Sequence, residues 1–348
     1  MPFFESLTKL KEHLGIKPIN TGQQFNFRGI VFDDVEALHA RTSINGDCVN
    51  LVSGVEFAFT EYRGQTQEYE SCLSTLDRIQ HDHELFAALC RSTYFKQALE
   101  AHPVITQIRS KGLNLGENGE SLPICVDLDG IAQHYGLPTQ YLDITSNFSV
   151  ASFFATQRWD NKAKKFEPMR MTPKPGVIYQ LQPAFLIAQD SDNGIPYTPI
   201  GWQPFPRPEQ QRANAIRLPA GEDFVESLPV ASHYFNHSRN QSKRIYEEFE
   251  GGEKLLPADD LADFAESVQS KTNFPQHTLD EAFRLYEKRR KPQDTANKRQ
   301  SLMARAGITL EYPGDSEAYR WNFSQQAFDA EIQRMLGRVR SRWACYAQ

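Results

Sequence analysis

Gln133-His134-Tyr135-Gly136-Leu137-Pro138-Thr139, continued by Leu142-Asp143-Ile144-Thr145-Ser146-Asn147 and then by Ala151-Ser152-Phe153-Phe154-Ala155, is the stretch whose reading governs the rest of the chain. Just upstream, Asp127 or Asp129 suits the cap of a short helix through Ile131, Ala132 and Tyr135. Gly136 ends that helix, because glycine takes a left-handed backbone without strain. His134 therefore stands at a helix end. If the segment around Asp143 is extended, Asp143 and Thr145 share one face. Asn147 suits the cap of a following helix that carries Val150, Ala151, Phe153 and Phe154.

Working outward, Val55, Phe57 and Phe59 alternate with Glu56, Ala58 and Thr60, the period of a strand. Continued, that strand puts Arg63 on the apolar side, where it must meet a carboxylate, a carbonyl or an anionic ligand. Gly64 marks a tight turn or a close backbone approach. Leu85, Ala88, Leu89, Phe95, Ala98 and Leu99 predict a helix over 82–101, stopped by His102-Pro103. Residues 111–121 and 160–175 read as loops, and the prolines between Pro196 and Pro208 read as irregular structure. Val177–Leu181 and Ala213–Leu218 read as strands. Leu261, Phe264, Ala265 and Val268 form a helix face behind an Asp259-Asp260 start.

The remainder of the chain is basic: Arg284, Lys288, Arg289, Arg290, Lys291, Lys298, Arg299 and Arg305 stand against only Glu287 and Asp294 between them. Phe328, Ile332, Met335, Leu336, Val339 and Trp343 then make an apolar stripe with arginines interleaved. The organisation expected is an N-terminal extension over 1–50, itself an irregular lead-in, a domain over 51–270 and a basic helical extension over 271–348. A chain of 348 residues with 40% hydrophobic content buries a sizeable core, which excludes disorder as the dominant state. Lys+Arg 38 against Asp+Glu 44, a net charge of -6, excludes a uniformly basic nucleic-acid coat. Five scattered cysteines without a CxxC pair fit reduced cytosolic thiols. No apolar run approaches the roughly 20 residues of a membrane span, and the opening residues lack a signal-peptide pattern. A cytoplasmic α+β protein without a membrane partner is expected.

Tyr62-Arg63-Gly64-Gln65 followed by Leu73-Ser74-Thr75-Leu76-Asp77-Arg78 resembles the opening of the FRG domain family, named for its Phe/Tyr-Arg-Gly motif. The segment from Gln133 to Ala155 resembles that family's His-Tyr-Gly-x-x-Thr-x-x-Leu-Asp-x-Thr motif and the apolar helix behind it. Arg207, Gln211 and Ala213 form a looser third match. Gln140, Ile144, Ala213 and Ala215 depart from the residues usual in the family. Phe27-Arg28-Gly29 also spells the short motif but lacks the following glutamine and Leu-x-x-Leu-x-Arg, which makes Tyr62 the preferred start.

The family's order of elements is similar to that of ADP-ribosyltransferases. Those place an arginine or histidine on a first strand, a Ser/Thr on a second and a Glu on a later one. The resemblance implies an α+β fold with a mixed, mostly antiparallel small sheet flanked by helices, and a cytoplasmic effector of toxin or phage-defence type that uses NAD as substrate. On that reading Tyr62, Arg63, Gly64, Gln65 and Asp143 bind the dinucleotide, while His134, Thr145 and either Glu209 or Gln211 face the chemistry. Arg63 suits a pyrophosphate because its planar fork binds phosphate bidentately; the alternative is an ion pair with Glu61 or Asp77. His134 either hydrogen-bonds a ribose hydroxyl or acts as acid/base, or else is a satisfied core or capping group. Glu209 and Gln211 share a face if their segment is a strand, although Pro208 argues against one. A non-catalytic nucleotide-binding module is the alternative, and the basic extension offers a nucleic-acid contact or only solvated helix faces. His233 and His237, four apart, match metal-ligand spacing on a helix, but Tyr234 stands where a zinc protease needs glutamate, and no metal is expected.

Overall fold

Residues 3–4, 61–65, 141–145, 176–181, 197–199, 213–217 and 231–235 form one sheet in the computed structural model, which describes residues 3–16, 25–27, 30–32, 37–43, 47–53, 60–110, 112–114, 121–183, 186, 196–291, 295–312 and 319–340. We label these strands β1 (Phe3–Phe4), β2 (Glu61–Gln65), β3 (Tyr141–Thr145), β4 (Gly176–Leu181), β5 (Tyr197–Pro199), β6 (Ala213–Arg217) and β7 (Ala231–Phe235). Their spatial order is β1-β7-β4-β2-β3-β6-β5, and every neighbouring pair is antiparallel except β1 with β7. The fold is α+β with a mixed, mostly antiparallel sheet. The strand expected over Val55–Phe59 lies outside the described residues.

Strand β4 shows why the sheet is buried on both faces. Val177, Tyr179 and Leu181 join Leu142, Ile144, Ile216 and Phe224 on one side, while Ile178 joins Tyr62, Val150, Phe153 and Phe235 on the other. Each fully buried side chain of this size contributes about 2 kcal/mol. The second face is covered by a helix over Phe148–Thr156, and further helices form a layer beside the sheet.

In chain order the helices used below are α1 (Asp82–Glu100), α2 (Leu128–His134), α3 (Phe148–Thr156), α4 (Pro206–Gln210), α5 (Asp260–Ser270), α6 (Gln276–Arg290), α7 (Thr295–Ala306) and α8 (Gln325–Arg338). The expected caps are made by Asp127, Asn147 and Asp259, whose carboxylate or amide oxygens accept from Gly130, Ser149 and Ala262 backbone N–H groups. Helix α1 has two apolar sides. Phe86 and Leu89 pack on α6 and α7, and Phe95 and Leu99 pack on α2 and α5.

Several loop expectations give way to short regular pieces. Residues 160–175 include half of a hairpin, Gln157–Asp160 with Lys165–Pro168, whose polar composition reflects its exposed edge. The proline-rich stretch holds strand β5 and helix α4, because Pro206 sits at the first helical position where its missing N–H costs nothing. Gly112–Asn114 pairs with Ser121–Pro123. The first 50 residues are no irregular lead-in among the described positions: β1 joins the main sheet, Leu7–His13 is helical, and Leu38–Thr42 pairs with Val49–Ser53. That hairpin packs on α8 through Leu38, Val49, Leu51, Phe328, Ile332 and Met335, so residues from both ends of the chain share one core. Leu336 is exposed, and Trp343 lies outside the described residues.

Several members of the basic run meet carboxylates, two of them (Asp77 and Asp82) from a distant part of the chain. Arg289 meets Asp77 at 3.3 Å, Arg290 and Lys298 meet Asp82 at 3.4 and 2.7 Å, and Arg299 meets Asp280 at 2.7 Å. Among the described residues, no helix is long and apolar enough to cross a membrane.

The cysteines correct the thiol expectation. Cys48 and Cys125 form a disulfide across 77 residues of sequence, while Cys72 and Cys90 are buried thiols. Disulfides persist in oxidising compartments, so cysteine usage no longer argues for the cytosol. Closing so long a loop removes unfolded-chain entropy worth about 4 kcal/mol. Urea unfolding with and without a dithiol reductant is expected to show a loss of that order. Equal midpoints would mean that the two thiols are not joined in solution.

Candidate functional site

Strands β2 and β3 are neighbours at one residue pair only, Tyr62 with Thr145, and then diverge. Arg63 spans the opening: its Nη1 donates to the Asp143 carbonyl at 2.7 Å, where a continued ladder would have supplied a backbone N–H. A cavity of about 700 Å³ opens at this split. Tyr62, Arg63, Gly64, Gln65, His134, Asp143, Thr145 and Gln211, predicted from three separated stretches, all line it. Glu209 does not.

Gly64 explains its own presence. A Cβ there would lie 1.8 Å from the Ala151 carbonyl oxygen, so only glycine lets α3 lie directly on β2. Tyr62 meets Phe148 of α3 edge-on at 5.3 Å, seating the helix beside the cavity.

The His-Tyr-Gly to Thr segment builds a relay of hydrogen bonds. The Tyr141 N–H donates to the Thr139 hydroxyl at 3.0 Å, and that hydroxyl donates to Gln133 Oε1 at 2.6 Å. Gln133 Nε2 then donates to Asp143 Oδ2 at 2.9 Å. One carboxylate oxygen is thereby held, and the other, Oδ1, has no hydrogen-bond partner among the described residues.

His134 is held just as firmly. Gln211 Nε2 donates to the Leu255 carbonyl at 3.0 Å, which turns its Oε1 toward His134 Nδ1, also at 3.0 Å. The neutral ring must then carry its proton on Nδ1, leaving Nε2 as a bare acceptor. Nε2 is buried, unpartnered among the described residues and 4.0 Å from Asp143 Oδ1. Burial lowers the His134 pKa below the ordinary histidine value, opposed by the Asp143 charge and the Gln211 bond, so the ring is neutral at pH 7. Imidazole ¹⁵N spectra are expected to show a protonated Nδ1 and a pyridine-like Nε2. In Gln211→Leu the acceptor is gone and the Nε2–H form should appear; an unchanged tautomer would remove this role from Gln211.

Other expected roles meet the geometry differently. The Thr145 hydroxyl donates to the Gln211 carbonyl at 2.7 Å and accepts from the Asn147 N–H at 3.1 Å, so it holds the loop together. Glu209 lies in α4 rather than on a strand, so it shares no strand face with Gln211. It is 7% exposed and accepts a hydrogen bond from Arg338 of α8. Pro206 and Pro208 start a helix, whereas a strand would have needed backbone N–H donors that proline lacks. Gln65 leaves Oε1 buried without a partner among the described residues. Among the described residues Arg63 has no ion pair with Glu61, Asp77 or any other carboxylate, and its Nε has no hydrogen-bond partner.

Arg78, Phe154, Arg158, Trp159 and Phe166 are among the other residues of the wall. Arg78 belongs to the quoted Leu-x-x-Leu-x-Arg run, but nothing in its spacing shows that the chain returns it to Arg63. His233 is on β7 and pairs with Gln180 Oε1 at 2.8 Å, and His237 pairs with the Thr66 carbonyl at 2.7 Å. The two therefore share no helix face, and no group of three or more His, Cys, Asp or Glu side chains suited to a metal occurs among the described residues.

No curated protein and no solved structure matches the chain. A family model for the FRG domain matches residues 59–164, which takes in Tyr62 to Gln65 and the whole relay from Gln133 to Thr145, and leaves out Phe27 to Gly29 and the looser match at Arg207. The segment that supplies β2, α1, α2, β3 and α3, and with them most of the cavity wall, is therefore an FRG domain.

Proposed function

We propose that the cleft binds NAD and cleaves its nicotinamide–ribose bond, passing ADP-ribose to an acceptor. One observation carries this reading: Arg63 Nε, Gln65 Oε1, His134 Nε2 and Asp143 Oδ1 are all buried, all unpartnered among the described residues, and all belong to residues lining one cavity. Each such atom costs about 1–3 kcal/mol without a partner, a cost that a polar ligand removes. The cavity volume of about 700 Å³ suits a ligand of nucleotide size.

The parts divide as the chemistry requires. Arg63 meets phosphate oxygens with its fork. The Asp143 carboxylate stands beside the positive charge that develops at ribose C1′ as the C1′–N bond breaks and nicotinamide leaves with the electron pair. The acceptor forms the new bond to C1′, and its proton passes to His134 Nε2, the one ring nitrogen free to take it. The toxin or phage-defence setting, and a cytoplasmic site of action, come from the family likeness and not from the cleft.

A non-catalytic nucleotide-binding role has its own support. Thr145 is engaged and Glu209 is held by Arg338, so Asp143 is the single carboxylate lining the cavity among the described residues. Incubation with labelled NAD separates the two: nicotinamide release supports transfer, and calorimetric binding without release supports the module. Arg63→Ala is expected to abolish binding under both. If Arg63→Ala binds NAD as the native protein does, the cleft is not the site.

A further inference from the structure

We propose that Arg63 and Arg78 together clamp a pyrophosphate, so that Arg78 makes the cleft prefer diphosphate-bearing nucleotides to monophosphates. This rests on the nucleotide reading of the same cavity. The two residues come from β2 and from the turn before α1, and both line the cavity.

Among the described residues neither guanidinium forms an ion pair within 4 Å with a carboxylate, although the Asp143 charge on the same wall attracts Arg78. Among the described residues Arg63 bonds the Asp143 backbone carbonyl, and Arg78 Nη2 donates to the Thr75 hydroxyl at 3.2 Å. The nearest acidic neighbour in sequence, Asp77, is taken: it meets Arg289 at 3.3 Å and accepts from the Ser74 hydroxyl at 2.6 Å. Asp143 is committed through one oxygen to Gln133 and faces His134 with the other. Elsewhere in the chain arginines find carboxylates, as Arg158 finds Glu167 at 3.1 Å on the same wall.

Two like charges facing one space repel: partial desolvation and Arg63 lower the proton affinity of the solvent-exposed Arg78, Cys72 and the Asp143 charge oppose that, and the guanidinium stays charged. An anion seated between the two cations relieves that repulsion. A pyrophosphate offers two phosphoryl groups, one for each planar fork, and each paired contact is a strong charge-assisted bond. A single phosphoryl group engages one fork fully and the other at best in part.

Calorimetry with ADP-ribose and AMP tests the clamp, because neither ligand contains the nicotinamide bond. The native protein is expected to bind ADP-ribose more tightly than AMP. Arg78→Gln should weaken ADP-ribose at least tenfold and AMP far less, erasing the preference. Arg284→Gln, which removes the same charge from an exposed pair with Glu281 on α6, should change neither. The proposal is overturned if Arg78→Gln leaves ADP-ribose affinity unchanged, or weakens both ligands equally. An Arg78-dependent preference without nicotinamide release upholds the clamp and removes only the transfer reaction. Release with no dependence on Arg78 does the reverse.

Discussion

Gly64→Ala is expected to cost about 3 kcal/mol or more of stability and to lose ligand binding with it. The added Cβ would fall 1.8 Å from the Ala151 carbonyl oxygen and 2.8 Å from its carbon. Both are backbone atoms of α3, so no rotamer change relieves the clash. Either α3 lifts from β2 or the strand bends, and both movements disturb the packing of Phe153, Ala151 and Ile178. Gly337→Ala is the matched control. Its Cβ meets nothing within 4 Å in helix α8, and the substitution there should stabilise by up to ~1 kcal/mol through helix propensity. Urea midpoints for the two variants should move in opposite directions. A Gly64→Ala protein as stable as the native one would show that α3 does not rest on β2 in this way.

Asp143→Asn is expected to lower the turnover of NAD by a factor of about 10² to 10⁴ while leaving KM within a few-fold. The amide has the carboxylate's shape and its oxygen still accepts from Gln133, so the pocket stays assembled. What disappears is the negative charge beside C1′. The acid limb of the pH profile carries a second signature. Burial holds the His134 pKa below the ordinary histidine value, so native turnover should stay level down to the usual histidine range and fall only below it, as Nε2 takes a proton. The Asp143 charge raises that pKa, so removing it should move the limb to lower pH. Activity within threefold of native would take Asp143 out of the chemistry.

The terminal elements show how far such roles depend on remote contacts. Arg338 reaches Glu209 from α8, and Glu209 precedes by two residues the glutamine that orients His134. The carboxylate first considered for chemistry is thus part of the support behind the imidazole. Its helical setting was signalled by Pro206 and Pro208; its partner was not, since 129 residues separate the two.

The elements legible in the chain are those whose signals are local. Caps at Asp127, Asn147 and Asp259 bond backbone groups two or three residues away, and the strand alternation in Val177–Leu181 needs only its neighbours. The relay from Tyr141 through Thr139 and Gln133 to Asp143 likewise closes within ten residues of sequence. Read alone, the amino-acid order therefore determined the capped helices at Asp127, Asn147 and Asp259, the strands at Val177–Leu181 and Ala213–Arg217, and the residue types offered to the cleft, but not the helices at Leu7–His13 and Pro206–Gln210. Folding decided which of them meet. The split between β2 and β3, the return of Arg78 to Arg63, the His134 tautomer set by Gln211, the Cys48–Cys125 bond and the counter-charges Asp77 and Asp82 are choices among distant groups of like chemistry. Periodicity and propensity do not distinguish such groups; the packing of the sheet and helices does, by allowing only one set of them to come within bonding distance.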